Sequence, residues 1–562
     1  MNPRRLTGAA ALLVPALVLC CAGCSGPGPA GGEEASTPVD PGLTEYMPDA
    51  PPEQGDWLAM WMEAETPHLN PVTSTDGYSL TMILPYVFDQ LLDRDPTTLE
   101  LIPSLAESWE ASPDHLVYTF HLREGVVFSD GVPLTAEDVK FTFDRIMDPA
   151  VDAPHLRNYV QDITLVEVLA PLTVRFTCAK RYFMHPVVIG LTFIIPKHIY
   201  GVGDFNNHPA NRAPVGSGMY VLEQWTTGQE VVLARNPRYW GTPLNGRPHV
   251  DKIRYAIVTD RNAAFQLLAR GDLDVMTPIP AEDWTRRANT PRFREKFNRF
   301  ATNLPSYNYI GWNQRKPQLS DKRVRRALAM LMDRQTILTR IYEGLGTLID
   351  AGFMPGMREF NDAIPPVPFD PAGAAALLAE AGWKDTDNDA VLDKDGVPLR
   401  FETLLANQSP TAEKILTIYK EELARVGVDL VIRPMEWASM LDRVDKREFD
   451  SVIMRWQMTP DPDPYQLWHS SQADKGSNYV GFVNPEADKL IEDARTTFDR
   501  EGRIRMYHRF QEILSEEQPY LFMLAPKNLM AVDKRIQGIR GYPFGMDERE
   551  WFVPKALQRY GN

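Results

Sequence analysis

Cysteine is scarce in this sequence and almost absent from its main body. Of four cysteines in 562 residues, Cys20, Cys21 and Cys24 lie near the N-terminus and only Cys178 lies further along. A single cysteine cannot form a disulfide within the body, so the disulfide framework of small secreted domains is excluded. At this length the body is expected to fold as two or three domains around hydrophobic cores.

Positive charge and catalytic motifs are lacking too. The formal net charge is −16, whereas a nucleic-acid surface needs clustered Lys and Arg, so we expect no nucleic-acid partner. The ten histidines show no HExxH or other metal spacing, and the sequence has neither a P-loop lysine nor a serine in a GxSxG elbow. We therefore expect a protein that is not an enzyme and that carries no cofactor.

Long apolar runs are missing except at the N-terminus. There two arginines precede the apolar stretch GAAALLVPALVLCCAG (8–23), which is typical of an export signal. The run CAGC resembles a bacterial lipobox, which implies that residues 1–23 are a signal peptide and that Cys24 is lipidated. Cys21 stands where the lipobox prefers Leu, Val or Ile, and an ordinary cleaved signal is the alternative. The expected location is the periplasm or cell surface, as a membrane-anchored lipoprotein.

The body itself alternates strand and helix patterns. VYTFHL has the period of a strand, and the next helix pattern opens with Thr135 and carries Asp138 three residues later, as in a capping box. A later helix is predicted to end near Gly271. In SDKRVRRALAMLM (320–332) the apolar residues have helical spacing and the basic residues are expected on a solvated face. The mixture predicts α/β layers.

Five blocks in order resemble the extracytoplasmic solute-binding proteins, family 5, the dipeptide, oligopeptide and nickel binders of ABC importers. The blocks lie at 118–146, 213–240, 260–275, 321–338 and 476–495. The resemblance implies an α/β, two-lobed periplasmic-binding-protein fold (class C, type II-like) with an extra subdomain in lobe I. The implied division is a signal peptide (1–23), a disordered linker (24–55), lobe I (56–303, with the subdomain at about 95–205), lobe II (304–525) and a return to lobe I (526–562).

The resemblance also implies a function. The chain is expected to be a monomeric, lipid-anchored substrate-binding component that captures peptides or a similar small solute between its lobes. It would deliver that solute to the permease and ATPase subunits of an ABC importer. The alternatives are an oligosaccharide-binding member of the same family, or an envelope or signalling protein that kept the fold without transport.

The acidic turn in RWQMTPDPDPYQLWHSS (455–471) is the most informative local segment. Prolines hold it near polyproline II, where side chains two apart diverge by about 120°, so Asp461 and Asp463 are poorly placed to flank one bond as a catalytic pair. Asp463 before Pro464 also suits the start of a helix. The third interpretation is that these acids hold a ligand.

One departure from the family pattern bears on the ligand. The family's peptide binders have an acid three residues before this Asp-Pro, where it pairs with the ligand's α-ammonium, and Met458 stands there in this sequence. Either Asp461 or Asp463 takes over that role, or the ligand presents no free ammonium. Trp312, Trp437, Trp456 and Trp468 could instead stack on sugars, and Asn313 could contact either ligand.

The segment DTDNDAVLDKDG (385–396) is a weak candidate for a calcium loop. Its acids are spaced like the start of such a loop. They are Asp385, Asp387, Asp389 and Asp393. Ala390 stands where the sharp turn needs Gly, and Gly396 stands where Glu closes the loop, so a solvated acidic turn is the alternative.

Overall fold

The computed structural model describes residues 42–47, 51–407 and 409–560. The predicted signal peptide, Cys24 and most of the predicted linker lie outside these residues. Within them, no helix combines the length and the apolar character needed to cross a membrane.

The strands of the described residues are short except for one. They are β1 (Glu45–Tyr46), β2 (Trp57–Met62), β3 (Leu92–Arg94), β4 (Leu101–Pro103), β5 (Ala106–Ala111), β6 (Val117–Leu122), β7 (Ile163–Ala170), β8 (Thr173–Cys178), β9 (Tyr220–Thr226), β10 (Glu230–Arg235), β11 (Lys252–Ile257), β12 (Val275–Met276), β13 (Phe297–Asn303), β14 (Ser306–Trp312), β15 (Gly346–Leu348), β16 (Asp393–Lys394), β17 (Val397–Pro398), β18 (Arg400–Ala406), β19 (Asp429–Met435), β20 (Ser451–Gln457), β21 (Tyr520–Asp533), β22 (Ile539–Tyr542) and β23 (Gly545–Met546).

The helices alternate with these strands. They are α1 (Leu84–Val87), α2 (Ala136–Met147), α3 (Pro154–Val160), α4 (His185–Gly190), α5 (Lys197–Tyr200), α6 (Thr242–Asn245), α7 (Arg261–Arg270), α8 (Ala281–Thr285), α9 (Pro291–Lys296), α10 (Pro317–Ser320), α11 (Lys322–Met330), α12 (Arg334–Arg340), α13 (Pro371–Glu380), α14 (Pro410–Arg425), α15 (Trp437–Asp445), α16 (Tyr465–Trp468), α17 (Pro485–Thr496) and α18 (Arg500–Glu517).

One long strand, β21, joins the two halves of the molecule. Its first part pairs with β14 and β15 in one half of a twelve-stranded sheet, and its second part pairs with β13 and β12 in the other half. Strand β21 changes its pairing partner between Pro526, which lies opposite Gly346 of β15, and Lys527, which lies opposite Asn303 of β13. Because β13 and β14 are consecutive, the chain also crosses between the halves near residues 304–305. The two crossings produce the two-lobed α/β fold.

The hydrophobic cores follow the same division. One buried cluster draws on residues 58–300 and 530–553, whereas two other clusters draw only on residues 307–525. The lobe limits at 303/304 and 525/526 stay predictions, and these separate cores support them. The predicted subdomain contains a four-stranded sheet in the order β5-β6-β8-β7.

Local signals in the sequence are confirmed where short-range chemistry decides them. Thr135 and Asp138 form the reciprocal capping box at the start of α2. Helix α7 ends at Arg270 and is capped by Gly271, whose φ of 94° lies in the left-handed region that a residue with a Cβ adopts only with strain. The apolar face of α11 is buried through Val324 and Leu328.

Two expectations need correction. The end of the predicted disordered linker is ordered, because Glu45 and Tyr46 of β1 pair with β22 and the Leu43 amide donates to Arg299 O at 2.6 Å. The basic face of α11 is not wholly solvated either. Arg325 is buried, and its guanidinium donates to backbone carbonyl oxygens, including Ser320 O at 2.7 Å.

Candidate ligand-binding site

The acidic turn lies where the chain crosses between the lobes. Strand β20 pairs antiparallel with β14, and directly after β20 the Met458 amide donates to Pro305 O at 2.7 Å. Pro305 belongs to the crossing between β13 and β14. The turn is therefore attached to this crossing between the lobes, and its acids contact residues of lobe I.

Asp461 forms an ion pair with Arg94 of β3, which belongs to lobe I. The two side chains are only 18% and 15% exposed, so water screens the pair weakly. Arg94 also donates to Leu99 O. Asp461 is thus occupied by a protein cation and bridges the two lobes.

Asp463 is held from both lobes as well. Tyr182 of lobe I donates its hydroxyl to Asp463 Oδ2 at 2.5 Å, and Arg495 of lobe II lies 3.1 Å from the same oxygen. Burial alone would lower the pKa of Arg495, but the Asp463 carboxylate raises it above its usual value. The predicted helix start is shifted by one residue: α16 begins at Tyr465, with Pro464 as its N-cap, and Asp463 Oδ1 accepts the Tyr465 amide at 3.1 Å.

A cavity of about 720 Å³ lies beside this turn, which we call the tryptophan cavity. From lobe II the wall includes residues 456–459 and 462–468 together with Arg495, and from lobe I it includes Asn158, Tyr159, Gln161, Asp162, Lys180 and Tyr182. This volume falls in the range of pockets that enclose small ligands. Of the predicted site residues, Trp456, Met458, Asp463 and Trp468 line it.

Trp456 is held in a defined orientation at the cavity wall. Its ring lies nearly parallel to those of Tyr309 and Tyr479, with centroid separations of 5.9 and 6.0 Å. Its indole nitrogen donates to the Tyr520 hydroxyl at 3.3 Å. A half-buried aromatic ring fixed in this way offers a ligand a rigid apolar surface at little cost in conformational entropy.

Four predicted residues do not line the cavity, namely Asp461, which pairs with Arg94, and the three that follow. Trp437 is 46% exposed at the start of α15 and does not line the tryptophan cavity. Asn313 is buried, and its side-chain amide donates to Phe449 O at 2.9 Å, so it supports the backbone of lobe II. Trp312 is buried in a core of lobe II.

The predicted calcium loop brings three of its four acids together. Oxygens of Asp385, Asp387 and Asp393 lie within 4.8 Å of one another, without Asp389. Loop groups already donate to them: the Asn388 amide to Asp385 at 2.7 Å and the Thr386 hydroxyl to Asp393 at 2.7 Å. Since hydrogen bonds within the loop account for its shape, we propose no ion there.

A second cavity, of about 460 Å³, is lined by Pro460 of the acidic turn, and we call it the carboxylate cavity. Its wall includes Asp89, Asp93, Asp547 and Glu548 of lobe I together with Pro460 of the turn. Burial raises the pKa of Asp89 to about 6 and that of Glu548 to about 7.

Sequence reasoning missed the partners of the turn. Arg94 precedes Asp461 by 367 residues, and Tyr182 precedes Asp463 by 281. No local pattern distinguishes either residue from an ordinary surface Arg or core Tyr. Only the juxtaposition of the lobes reveals them.

Two lobes that share a crossing strand and enclose a cavity define a binding protein that closes around a solute. Comparison with known proteins agrees. The sequence profile of the family described as bacterial extracellular solute-binding proteins, family 5 Middle, matches residues 100–478. The chain belongs to this family. It is an extracytoplasmic solute-binding protein, the capturing component of an ABC importer.

Individual relatives resemble most of the chain. The oligopeptide-binding protein AppA of Bacillus subtilis is 33% identical over 505 residues, which cover 88% of this chain and 90% of AppA. Its structure with a nonapeptide has a TM-score of 0.75 at 30% identity and covers 90% of this chain and 100% of that one. NikZ of Campylobacter jejuni in complex with Ni(L-His) also has a TM-score of 0.75, at 25% identity, covering 88% of this chain and 99% of that one.

The interlobe ion pair yields a first prediction. In a double-mutant cycle of Arg94→Gln and Asp461→Asn, we expect a coupling free energy of about 1–3 kcal/mol, because the pair is shielded from water. Thermal unfolding of the four proteins measures it. The exposed pair of Lys140 and Asp144 is the control, with about 0.3–0.5 kcal/mol expected. Coupling no larger than in the control would mean that Asp461 does not hold the lobes together.

Proposed function

We propose that this protein captures peptides in the tryptophan cavity and presents them to a membrane permease. The observation that carries the proposal is a cavity walled by both lobes and lined by the oriented ring of Trp456, in a chain that resembles oligopeptide-binding AppA over nearly its full length. Closure of the lobes would bury the peptide and strengthen its polar contacts, since water would be expelled.

The proposed role is binding without chemistry on the solute. A catalytic carboxylate must be able to exchange a proton or attack a substrate atom. In this site Asp461 and Asp463 are both paired with arginines of the protein. ATP hydrolysis would occur on a separate subunit of the importer.

The remaining parts of the proposal concern the chain's surroundings. We propose that it acts as a monomer on the outer side of a membrane, in the periplasm or at the cell surface. A lipid on Cys24 would anchor it there, and the chain between Cys24 and β1 would let the lobes stand away from the membrane. Mass spectrometry of the protein purified from membranes tests the lipid directly.

Peptide binding is the second prediction, tested with tetra-alanine on the unlipidated chain from Ser25 to Asn562, which retains β1. At 100 times its Kd the peptide should stabilise the protein by about 2.7 kcal/mol, seen as a rise in Tm. Trp456→Ala should weaken binding by about tenfold or more, because it removes the aromatic wall.

The matched control for this test is Trp437→Ala, which removes an exposed tryptophan of the same lobe away from the cavity. It should leave the peptide affinity unchanged. Equal effects of the two variants would place the peptide elsewhere. A wild-type protein that binds neither tetra-alanine nor longer peptides would reject the peptide proposal.

An oligosaccharide is the second candidate solute. It is favoured by Met458, which replaces the acid expected for a ligand ammonium, and by the aromatic wall of Trp456 and Tyr465. Sugars stack on such rings and need no counter-charge. A rise in Tm with maltotetraose but not with tetra-alanine, lost in Trp456→Ala, would favour this alternative.

A further inference from the structure

Both acids of the turn are already occupied. Asp461 faces Arg94, and Asp463 faces Arg495 and the Tyr182 hydroxyl. A ligand ammonium at either carboxylate would have to displace a partner that also joins the lobes or fixes the turn. The turn therefore does not offer a free carboxylate to a cationic group.

In the carboxylate cavity, by contrast, the acidic side chains outnumber the arginines that form ion pairs with them. Arg549 pairs with Asp93 at 2.6 Å and with Asp547 at 2.8 Å, so these two acids are compensated. Asp89 and Glu548 form no ion pair with a described residue. Asp89 accepts the indole N–H of Trp240 at 2.8 Å, and Glu548 accepts the Tyr86 hydroxyl at 3.4 Å.

Neither carboxylate has an ion-pair partner in the part of the chain that the structure describes, although the nearby charge of Arg549 acts on both. Among residues 42–47, 51–407 and 409–560, no Lys, Arg or His nitrogen lies within 4.0 Å of either carboxylate. Both line the same open cavity of about 460 Å³. Asp89 and Glu548 are partly buried, and partly buried carboxylates without an ion-pair partner beside an open space can accept a cation from outside the chain.

The walls of this cavity suit an organic cation. The rings of Tyr86, Phe193, Tyr239 and Phe544 line it, and aromatic faces attract cations. Pro460 of the acidic turn also lines it, so an occupant would contact the same turn that walls the tryptophan cavity. A solute that reaches past the turn would have one part in each cavity.

We propose that Asp89 and Glu548 bind the ammonium group of the captured solute in the carboxylate cavity. This inference rests on the proposed function, because the solute is taken to be a peptide held by the tryptophan cavity. It makes Asp89 and Glu548 specificity-determining residues for a cationic ligand. The ammonium can come from the peptide's N-terminus or from a lysine side chain, and both present the same chemistry.

Three peptides separate these sources by isothermal titration calorimetry: tetra-alanine, N-acetyl-tetra-alanine, and N-acetyl-Ala-Lys-Ala-Ala. If the N-terminus is the source, acetylation should weaken binding about ten- to hundredfold. If a lysine is the source, the acetylated lysine peptide should bind tighter than acetylated tetra-alanine by a similar factor. Either pattern in the wild type supports recognition of an ammonium.

The variants Asp89→Asn and Glu548→Gln then locate that recognition. Each keeps an acceptor oxygen for its present donor and removes only the charge. Each should abolish most of the difference between charged and acetylated peptides while leaving the affinity for acetylated tetra-alanine unchanged. Glu100→Gln, at an exposed glutamate between β3 and β4, is the matched control and should behave as the wild type.

The outcomes distinguish this inference from the proposed function. If the wild type binds all three peptides equally, or if both variants still discriminate between them, the inference is overturned and peptide capture stands. Circular dichroism and Tm of each variant exclude misfolding as the cause of a loss. If the wild type binds none of the peptides, the proposed function fails and this inference fails with it.

Discussion

Replacing Arg535 with methionine should lower the free energy of unfolding by about 3–5 kcal/mol, because it removes the cation between two buried carboxylates and leaves Asp274 only the partly exposed Arg559, at 3.6 Å. Arg535 contacts Asp56 and lies 2.5 Å from Asp274 Oδ2. The arginine side chain is 2% exposed and both carboxylates are 0% exposed.

The same group joins segments that are distant in sequence. Arg535 follows β21, whereas Asp56 precedes β2 and Asp274 precedes β12. Asp274 Oδ2 also accepts the Ala59 amide at 2.8 Å, so the ion cluster fixes the alignment of β2. Burial raises the pKa of Asp274 even with Arg535 present. Without the arginine, the Asp274 carboxyl should become protonated or water should enter beside it. Either change destabilises the central sheet.

Thermal and urea unfolding would measure this effect. Arg540→Met removes an exposed arginine of β22 and is the matched control, with a change within about 0.5 kcal/mol expected. A loss below 1 kcal/mol for Arg535→Met would show that the cluster relaxes without its cation.

The contribution of Glu548 to the stability of the ligand-free protein should be lost as the pH rises from about 4.5 to 7. Burial raises the pKa of Glu548 from 4.5 to about 7. Between these values the folded protein holds a proton that the unfolded chain has released. The contribution is therefore present below pH 4.5 and is lost as the pH rises through 7, and it amounts to roughly 3 kcal/mol.

The neighbours of Glu548 determine the size of this effect. Asp547 raises its pKa further, while Arg549 and the hydrogen bond from Tyr86 lower it. Asp89, whose pKa burial raises to about 6, changes stability in the same direction. A ligand cation in this cavity would reverse the effect by favouring the charged carboxylates.

The test compares Tm from pH 4.5 to 8.5 for the wild type and Glu548→Gln. The difference isolates Glu548, since other groups titrate in both proteins. The variant should be more stable than the wild type at pH 8 and should lose this advantage near pH 5. Glu100→Gln should follow the wild type throughout. Parallel curves for the wild type and Glu548→Gln would contradict the raised pKa.

The candidate site was only partly predictable. Trp456, Met458 and Asp463 were found because they lie at or shortly after the end of β20, in a segment whose prolines and acids stand out. Trp437 stands equally close to the end of another strand, yet it points to solvent. Asn313 has the polar amide that a ligand needs, but the backbone of lobe II uses it. Sequence spacing does not tell which of two such residues faces a cavity.

The sequence by itself determined what depends on neighbours along the chain and on the order of motifs. The capping box of Thr135 and Asp138, the end of α7 at Gly271 and the buried face of α11 follow from short-range hydrogen bonds and periodicity. Five blocks in the family's order were enough to predict membership, and the match over residues 100–478 confirms it.

Only the tertiary structure decided which acidic side chains form ion pairs with which basic ones. The sequence could not show that Asp461 pairs with Arg94, that Arg549 pairs with Asp93, or that Glu548 forms no ion pair among the described residues. These pairings join residues hundreds of positions apart, and each acid has many cations to choose from along the chain. Distance and burial select among them, because a charge interaction becomes strong only where the fold brings two groups together and excludes water.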